Sequence, residues 1–388
     1  MLKIAEKLND LGTESAFEVL ARAESIALEG KDIINLGIGQ PDFKTPQHIV
    51  EAGIKALIDG HHGYTPASGI APLREAVVWD LNKRYQAIVD PQNVVIVPGG
   101  KPTIFFSLLI FGGSNSEIIY PDPGFPIYRS LIDYTGSTAI PVTIKEENQF
   151  SFRADDILDK ITSKTRLIII NSPANPTGGV TSKLELDKFV AEIVKHPTVA
   201  VLSDEIYSHM VYDNVPHTSL LQYPEIRNQL IMLDGWSKTY AMTGWRMGYA
   251  VWPSKLVPHV LRLCINSHSC VNAATQHAGI AALTGPHDDI SKMHKEFDKR
   301  RLLIHKQLNS LPNFNCELPG GAFYAFPNIT DTGLTSKEAQ DLFLNKAGIA
   351  TISGASFGNA GQGFLRFSYA NSLENIERAI QRIKDLIQ

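Results

Sequence analysis

Short runs of apolar and largely β-branched residues alternate with amphipathic helical segments through the middle of the chain. Because these runs are apolar almost throughout, we expect them to be strands buried on both faces, as the strands of a parallel sheet are. They cover residues 94–97, 117–120, 167–171, 199–203 and 230–233. The alternation predicts an α/β fold, in which helices cover both faces of a mostly parallel sheet within a large domain over residues 45–285.

The pattern changes after Gly285 and Pro286, where turn residues interrupt it. The elements predicted beyond this point are a charged helix over about residues 288–309, a strand at 321–326, a helix near 336–347 and a closing helix from Leu373. This mixture indicates an α+β arrangement. We therefore predict a smaller α+β domain made of residues 1–44 together with residues 286–388.

The composition narrows the class of protein. With 388 residues, 44% of them apolar, the chain can bury a large core. A formal net charge of -4 gives no basic surface for nucleic acid. The most apolar run, residues 104–111, is far shorter than the roughly 20 residues that span a membrane, and we interpret it as part of a buried helix. The expected partners are small molecules, with no nucleic acid and no membrane.

The N-terminal residues and the cysteines bear on the compartment. Residues 1–7 lack the apolar core of a secretory signal, and their acidic content argues against a transit peptide. Cys264, Cys270 and Cys316 are an odd and sparse set, which fits a reducing compartment better than a disulfide framework. His268 lies between the first two, but the spacing and the lack of a fourth ligand argue against zinc. We expect a cytoplasmic protein without a metal.

One lysine stands in an unusual neighbourhood. Lys238 lies within residues 235–249, which combine glycines and hydroxyl side chains with aromatic and apolar residues. An ammonium in a partly apolar pocket, with Arg246 close in sequence, should lose its proton more easily and become a nucleophilic amine. Such an amine is what a Schiff-base lysine requires. A surface lysine beside a buried aromatic segment remains the alternative.

The loop after the strand at 94–97 has the form of an anion site. Gly99 and Gly100 precede a helix that tolerates Pro102 in its first turn. Free backbone N–H groups and the helix dipole at such a position attract a phosphate. By itself, the same sequence can also be a structural turn.

Two further loops follow predicted strands. The turn Asn-Pro-Thr-Gly at 175–178 can hold the side-chain amide of Asn175 at the end of a strand. Asp204 ends the next strand, where a buried carboxylate needs a cationic partner such as a protonated pyridine nitrogen. Tyr207, three residues later, could hydrogen-bond a hydroxyl of the same ring. A turn and a helix cap are the structural alternatives.

The order of these motifs resembles the class I/II aminotransferases of the fold-type I pyridoxal phosphate enzymes, and within them the bacterial and archaeal aspartate aminotransferase branch. The resemblance covers nearly the whole chain. Its motifs lie at residues 37–43, 64–66, 73–74, 175–178, 237–238, 244–249, 319–324, 357–358 and 365–368. It implies a mostly parallel seven-stranded sheet, pyridoxal 5'-phosphate as cofactor and a homodimer with active sites at the subunit interface.

The resemblance implies a role for each matching residue around the cofactor ring. Lys238 would bond covalently to the cofactor and carry the proton during transamination. Asp204 would pair with the pyridinium nitrogen. Tyr207 and Asn175 would hydrogen-bond the phenolic oxygen of the ring, and Phe125 would stack on it.

The resemblance also implies how the phosphate and the substrate are held. The backbone at Gly100 and Lys101, the side chains of Ser237 and Arg246, and Tyr64 from the partner subunit would bind the phosphate. For the substrate, Arg366 would bind the α-carboxylate through two hydrogen bonds, with help from the backbone at Gly39 and contacts to Phe125 and Asn175.

Transfer of an amino group from an L-amino acid to a 2-oxo acid is thus the expected reaction, with ping-pong kinetics. A pyridoxal phosphate lyase or decarboxylase on the same fold is the alternative, since it would share Lys238 and Arg366. The ligand-sensing domain of a regulator is excluded because no DNA-binding segment accompanies it. A nicotinamide dehydrogenase is excluded because the glycines at 37 and 39 lack the rest of a dinucleotide fingerprint.

The choice of substrate stays open at this point. In the aspartate branch, a lysine near the position of Lys101 can meet a distal carboxylate, which favours aspartate or a similar donor with 2-oxoglutarate as acceptor. A solvated or structural Lys101 would leave other donors possible. Phe125 stands where many relatives have tryptophan or tyrosine, so it lacks their polar atom. Pro98 and Ser353 also depart from the family pattern, but only in loops.

Overall fold

The computed structural model describes residues 2–387. Its strands are β1 Ile34–Asn35, β2 Val94–Val97, β3 Glu117–Asp122, β4 Thr138–Thr143, β5 Thr165–Asn171, β6 Ala200–Asp204, β7 Leu230–Gly235, β8 Gly248–Val251, β9 Tyr324–Ala325, β10 Ile349–Ala350, β11 Ile352–Ser353 and β12 Leu365–Ser368. Its α-helices are α1 Ser15–Leu28, α2 Gln47–Ile58, α3 Ala71–Tyr85, α4 Lys101–Phe111, α5 Pro126–Tyr134, α6 Ala154–Leu158, α7 Lys183–Ile193, α8 Val257–Ser267, α9 Ala273–Thr284, α10 Asp288–Leu308, α11 Ser336–Leu342 and α12 Leu373–Ile387.

A seven-stranded sheet organises the larger part of the fold, with the strand order β2-β8-β7-β6-β5-β3-β4. Strand β8 runs antiparallel to both of its neighbours, and the remaining pairs are parallel. The five predicted strands correspond to β2, β3, β5, β6 and β7. The residues of β2, β6 and β7 are buried throughout, because helices cover both faces of the sheet. The α/β prediction with a mostly parallel sheet is confirmed.

Two strands of this sheet were not predicted from the pattern. Strand β4 is an edge strand whose side chains are mostly exposed or half-buried, and it contains Pro141. An edge strand tolerates proline and needs no continuous apolar run, so its sequence gives a weak signal. Strand β8 overlaps the glycine-containing motif at residues 244–249, which does not predict a strand.

The C-terminal part contains the smaller sheets β11-β12-β9 and β1-β10. The strand predicted over 321–326 is wrong in length, since only Tyr324–Ala325 pairs as a strand. The reason is that Gly321 and Ala322 donate their backbone N–H groups to Gly178 and Met210, which belong to loops of the larger part. The helix predicted near 336–347 is α11 followed by a turn of π-helix, Phe343–Ala347.

The two parts are closely packed against each other. One apolar core runs from Val94 and Ile168 of the large sheet to Ile352 and Phe357 of the C-terminal part. The N-terminal segment joins the C-terminal part, because β1 pairs with β10. The domain boundaries at residues 44 and 285 stay a prediction.

The loops that carry the predicted site residues meet at one edge of the large sheet, where the carboxyl ends of its parallel strands lie. Strands β5, β6 and β7 are parallel neighbours, so their carboxyl ends, Asn171, Asp204 and Gly235, lie side by side. Helix α4, which contains the apolar run 104–111, also begins at this edge, next to β2. Within residues 2–387, no helix is long and apolar enough to cross a membrane.

Candidate active site

A pocket of about 450 Å³ opens at the carboxyl edge of the sheet. It brings together the predicted site residues other than Tyr64, namely Gly39, Gly100, Lys101, Phe125, Asn175, Asp204, Tyr207, Ser237, Lys238, Arg246 and Arg366. These residues come from loops that are far apart in the sequence, and the strands deliver them to one place. Tyr64 is 94% exposed and does not line this pocket, so its role across a subunit interface stays a prediction.

Lys238 lies three residues after the end of β7 and is partly buried. Its Nζ donates a hydrogen bond of 2.5 Å to the carbonyl oxygen of Gly39. Loss of water around the ammonium lowers the pKa of Lys238 to about 8. The positive charges of Arg366, Arg246 and Lys101 contribute to this lowered pKa, while the negative charge of Glu14 opposes them. The amine can therefore exist unprotonated close to neutral pH.

Asp204 is the last residue of β6 and is only 5% exposed. Its Oδ2 accepts a hydrogen bond of 2.6 Å from the hydroxyl of Tyr128, a residue that the sequence analysis missed. Burial raises the pKa of Asp204 to about 6, and no basic side chain among the described residues forms an ion pair with it. A buried carboxylate that lines the pocket and forms an ion pair with no basic side chain is suited to a cationic ligand atom.

A second missed residue, Tyr324, closes the pocket from the C-terminal part. Its hydroxyl and that of Tyr207 are 2.7 Å apart and share a hydrogen bond. A Cβ atom at Gly39 would lie 2.1 Å from the Tyr324 hydroxyl oxygen, so only glycine permits this approach. Tyr324 belongs to the short strand β9. The sequence placed it in the predicted strand 321–326 and in the motif 319–324, without a role in the site.

Arg366 reaches the pocket from β12 and is 2% exposed. Its guanidinium donates to the side-chain oxygen of Asn175 at 2.8 Å and to the carbonyl oxygen of Gly37 at 2.5 Å. The Nε atom is buried and has no partner among the described residues. The rings of Tyr324 and Phe357 flank the cation at 4.6 and 4.8 Å. A buried, fixed and incompletely paired guanidinium is suited to binding a carboxylate.

The other end of the pocket has the features of a phosphate site. Helix α4 begins at Lys101, directly after Gly100. The guanidinium of Arg246 lies so close to Gly99 that a Cβ there would come within 2.3 Å of it. Ser237 adds a buried hydroxyl to the same pocket. A helix N-terminus, a cation and a hydroxyl together favour a bound phosphate.

The side chain of Lys101 is not free in the pocket. Its Nζ forms an ion pair of 2.7 Å with Glu14 and lies 5.3 Å from the ring centroid of Phe17. Glu14 and Phe17 also line the pocket, although no motif in the sequence points to either of them. They belong to an N-terminal segment whose position over the pocket no local pattern reveals.

The described residues 2–387 contain no group of three or more histidine, cysteine, aspartate or glutamate side chains placed to hold a metal ion. Cys264 is buried in the apolar core beside β2, and burial raises the pKa of its thiol to about 11. The polar chemistry of the pocket therefore rests on the residues described above.

The fold is of the α/β class, and its pocket brings together a lysine amine, a buried carboxylate and a buried guanidinium. The chain belongs to the aminotransferase class I and II family, whose model matches residues 31–383. It is an aminotransferase of the aspartate aminotransferase branch, with the fold-type I architecture.

Proteins of known name support this placement. The chain is 38% identical to an aspartate aminotransferase of Pyrococcus abyssi over 94% of both chains. It is 37% identical to aromatic-amino-acid aminotransferase 2 of Thermococcus litoralis over 92% of both. The crystal structure of the aspartate aminotransferase from Rhizobium meliloti superimposes with a TM-score of 0.94 at 29% identity, covering 100% of this chain and 99% of that one.

Proposed function

We propose that this aminotransferase binds pyridoxal 5'-phosphate in the pocket at the carboxyl edge of the sheet. Members of the family use this cofactor. The residues present fit it, because Asp204 is a buried carboxylate without a protein cation and the loop at Gly100 provides a helix N-terminus. Arg246 and Ser237 would hold the phosphate, and Phe125 would stack on the ring. When bound, the cofactor acts as an electron sink for the bond that breaks at the α-carbon.

The protein's own residues would then supply binding, orientation and proton transfer. The Lys238 amine, with its pKa of about 8, can accept a proton from the substrate's α-carbon and return it at the cofactor carbon. Arg366, held by Asn175 and Gly37, would bind the α-carboxylate and so orient the α-hydrogen towards the lysine. Tyr207 and Asn175 would hydrogen-bond the phenolic oxygen of the ring, and Tyr207 is itself held by Tyr324.

For the substrates, we propose aspartate or a similar dicarboxylic amino acid as donor and 2-oxoglutarate as acceptor. Among the described residues, Lys101 and Lys238 are the two lysines that line the pocket. The side chain of Lys101 is assigned neither to the α-carboxylate nor to the phosphate. The aspartate aminotransferase from Pyrococcus abyssi supports this choice. The aromatic-amino-acid aminotransferase of Thermococcus litoralis is nearly as similar, so overall identity does not separate the two classes of donor.

We also propose a cytoplasmic homodimer in which Tyr64 reaches the phosphate of the partner's site. The exposure of Tyr64 in the single chain supports this, as does that of Ile54, Leu57 and Ile58 on the nearby helix α2. Large apolar side chains in such a cluster are typical of a protein interface.

The lyase and decarboxylase alternatives find no support among the similar proteins.

The observation that carries the proposal is the meeting of Lys238, Asp204 and Arg366 in one pocket. Protein purified with pyridoxal 5'-phosphate should show a visible absorption band. L-Aspartate should bleach this band, and 2-oxoglutarate should restore it. Release of oxaloacetate without restoration by a 2-oxo acid, or conversion of L-aspartate to alanine or β-alanine with loss of carbon dioxide, would contradict transamination.

A further inference from the structure

Glu14 places a negative charge in the pocket that the proposed reaction does not use. Its Oε2 accepts a hydrogen bond of 2.7 Å from the Nζ of Lys101, and the Glu14 side chain is 17% exposed. Lys101 is the first residue of α4, and Glu14 directly precedes α1. The two residues are 87 positions apart, so the contact is a tertiary one that closes the pocket from the N-terminal side.

Two aromatic rings lie close to the lysine of this ion pair. The Lys101 ammonium is 5.3 Å from the ring centroid of Phe17 and 5.6 Å from that of Phe125. Phe125 is the proposed stacking residue, so the pair lies beside the bound ring and its substrate. A substrate side chain that extends towards this ion pair would therefore meet the Lys101 ammonium, which is already paired with Glu14.

Glu14 lies between helix α1, which is anchored in the core through Ala16 and Val19, and an exposed N-terminal segment with few attachments. The carbonyl oxygen of Gly12 accepts a hydrogen bond of 3.2 Å from Ser130, and the short helical segment Glu6–Asp10 contains no buried residue. Phe17 is 54% exposed. A partly exposed ion pair shifts an equilibrium by no more than about tenfold. The contact between Glu14 and Lys101 can therefore be exchanged by a competing carboxylate.

We propose that Glu14 is a specificity residue that competes with the distal carboxylate of dicarboxylic substrates for Lys101. When aspartate or 2-oxoglutarate binds, its distal carboxylate replaces Glu14 on the Lys101 ammonium, and the side chain of Glu14 turns towards solvent. A substrate with an apolar side chain leaves the ion pair intact and packs against Phe17 and Phe125. This inference rests on the proposed function, since it assumes that amino acids bind in this pocket.

Competition from Glu14 lowers the apparent affinity of the enzyme for dicarboxylates, because only molecules in which Lys101 is free are ready to bind them. Glu14 also raises the pKa of Lys238, so its removal affects the amine for every donor alike. The ratio of kcat/KM for aspartate to kcat/KM for phenylalanine cancels that common effect. This ratio, together with the KM for 2-oxoglutarate, is therefore the quantity to measure.

The test compares the holoenzyme with its Glu14→Gln variant. We expect the aspartate-to-phenylalanine ratio to rise about three- to tenfold and the KM for 2-oxoglutarate to fall by a similar factor. Glu18→Gln is the matched control, because Glu18 lies one turn further along α1, carries the same charge and hydrogen-bonds only Thr13 among the described residues. The control should leave the ratio unchanged.

A double-mutant cycle with Lys101→Gln isolates the pair. Lys101→Gln should weaken dicarboxylate binding. In the Lys101→Gln background, Glu14→Gln should not improve dicarboxylate binding. Calorimetric titration of succinate, a dicarboxylate without an amino group, into each holoenzyme provides a readout that does not depend on turnover. Its Kd should fall in Glu14→Gln and be insensitive to residue 14 once Lys101 is replaced.

Two results would overturn the proposal. One is an equal change for aspartate and phenylalanine, and the other is a weaker binding of succinate in Glu14→Gln. If the wild-type protein is bleached by no amino acid, the proposed function fails, and the succinate titration still decides whether Glu14 competes for Lys101. If the wild type transaminates but residue 14 has no selective effect, only the competition is refuted.

Discussion

Arg366 donates a hydrogen bond of 2.8 Å to the side-chain oxygen of Asn175, which lies 191 positions earlier in the chain. The bond joins strand β12 of the C-terminal part to the Asn-Pro-Thr-Gly turn after β5. It fixes the plane of the guanidinium inside the pocket, while the carbonyl of Gly37 fixes its second nitrogen. The proposed carboxylate site is thus already ordered before a substrate binds, and this reduces the entropy lost on binding.

Arg366→Lys should retain the positive charge but lose the planar, two-pronged geometry. Because a hydrogen bond to a charged group contributes about 1.5–3 kcal/mol, we expect kcat/KM to fall about 10- to 150-fold for every donor. Most of the loss should appear as a higher KM. Steady-state kinetics with two donors measure this, and the exposed Arg262→Lys serves as control. A loss confined to one donor would argue against binding of the common α-carboxylate.

Lys238→Ala should abolish the visible absorption band of the cofactor and lower the rate of transamination by at least about a hundredfold, since the proton carrier is missing. The partly buried position of Lys238 can accept the smaller side chain, so the circular dichroism spectrum should be preserved. Lys255→Ala, at an exposed lysine, should behave like the wild type. Native turnover by Lys238→Ala would falsify the mechanism proposed for this site.

The charge on Asp204 should destabilise the protein when no cofactor is bound. Its pKa is raised to about 6 in the folded chain by burial, whereas an unfolded aspartate titrates near 3.9. The folded state therefore binds the proton more tightly, and the contribution of Asp204 to stability falls as the pH rises from about 4 to 6. Above this range, cofactor-free Asp204→Asn should be more stable than the wild type by about 2–3 kcal/mol.

Thermal unfolding of cofactor-free protein at pH 4 and pH 7.5 measures this effect. The melting temperatures of wild type and Asp204→Asn should be similar at the lower pH and differ at the higher one. Asp331→Asn, at an exposed site, provides the control. Activity should move in the opposite direction, because the variant loses the proposed partner of the pyridinium nitrogen. A variant less stable than the wild type at pH 7.5 would show that the carboxylate is better compensated than its burial indicates.

Gly39→Ala should disturb the pocket through Tyr324, since the new Cβ would lie 2.1 Å from its hydroxyl oxygen. Overpacking of this kind costs about 1–3 kcal/mol, and the displaced Tyr324 would no longer hold Tyr207. We expect a higher KM and a lower kcat. The double variant with Tyr324→Phe should recover part of the loss, because the clashing atom is removed. Tyr324→Phe alone, which removes the hydroxyl without adding a Cβ at residue 39, is the reference for the double variant.

The proposed dimer can be tested by complementation. Mixing Lys238→Ala with Tyr64→Ala should create hybrid dimers in which one of the two sites has both native residues. Random exchange of subunits would restore roughly a quarter of the wild-type activity, because half of the dimers are hybrids. If the mixture were no more active than the sum of its components, Tyr64 would not act across the interface.

The sequence predicted the α/β class well because five of the sheet's strands carry a strong and local apolar signal. It did less well where strands are short or exposed, as in the edge strand β4 and the two-residue strand β9. In such strands, pairing depends on neighbours that are distant in the chain. The sequence therefore predicted the α+β type of the smaller part of the fold but not the bounds of its strands.

The candidate site, like the fold, could be predicted only in part from the sequence. Lys238, Asp204, Asn175 and Arg366 stand in recognisable motifs, so the sequence by itself determined which residues to expect and what chemistry they fit. Only the tertiary structure placed Tyr324 against Gly39, and Tyr128 on Asp204. It also placed Glu14 on Lys101. These contacts bring together segments that share no local pattern, and hydrogen bonding and close packing between them arise only once the chain has folded.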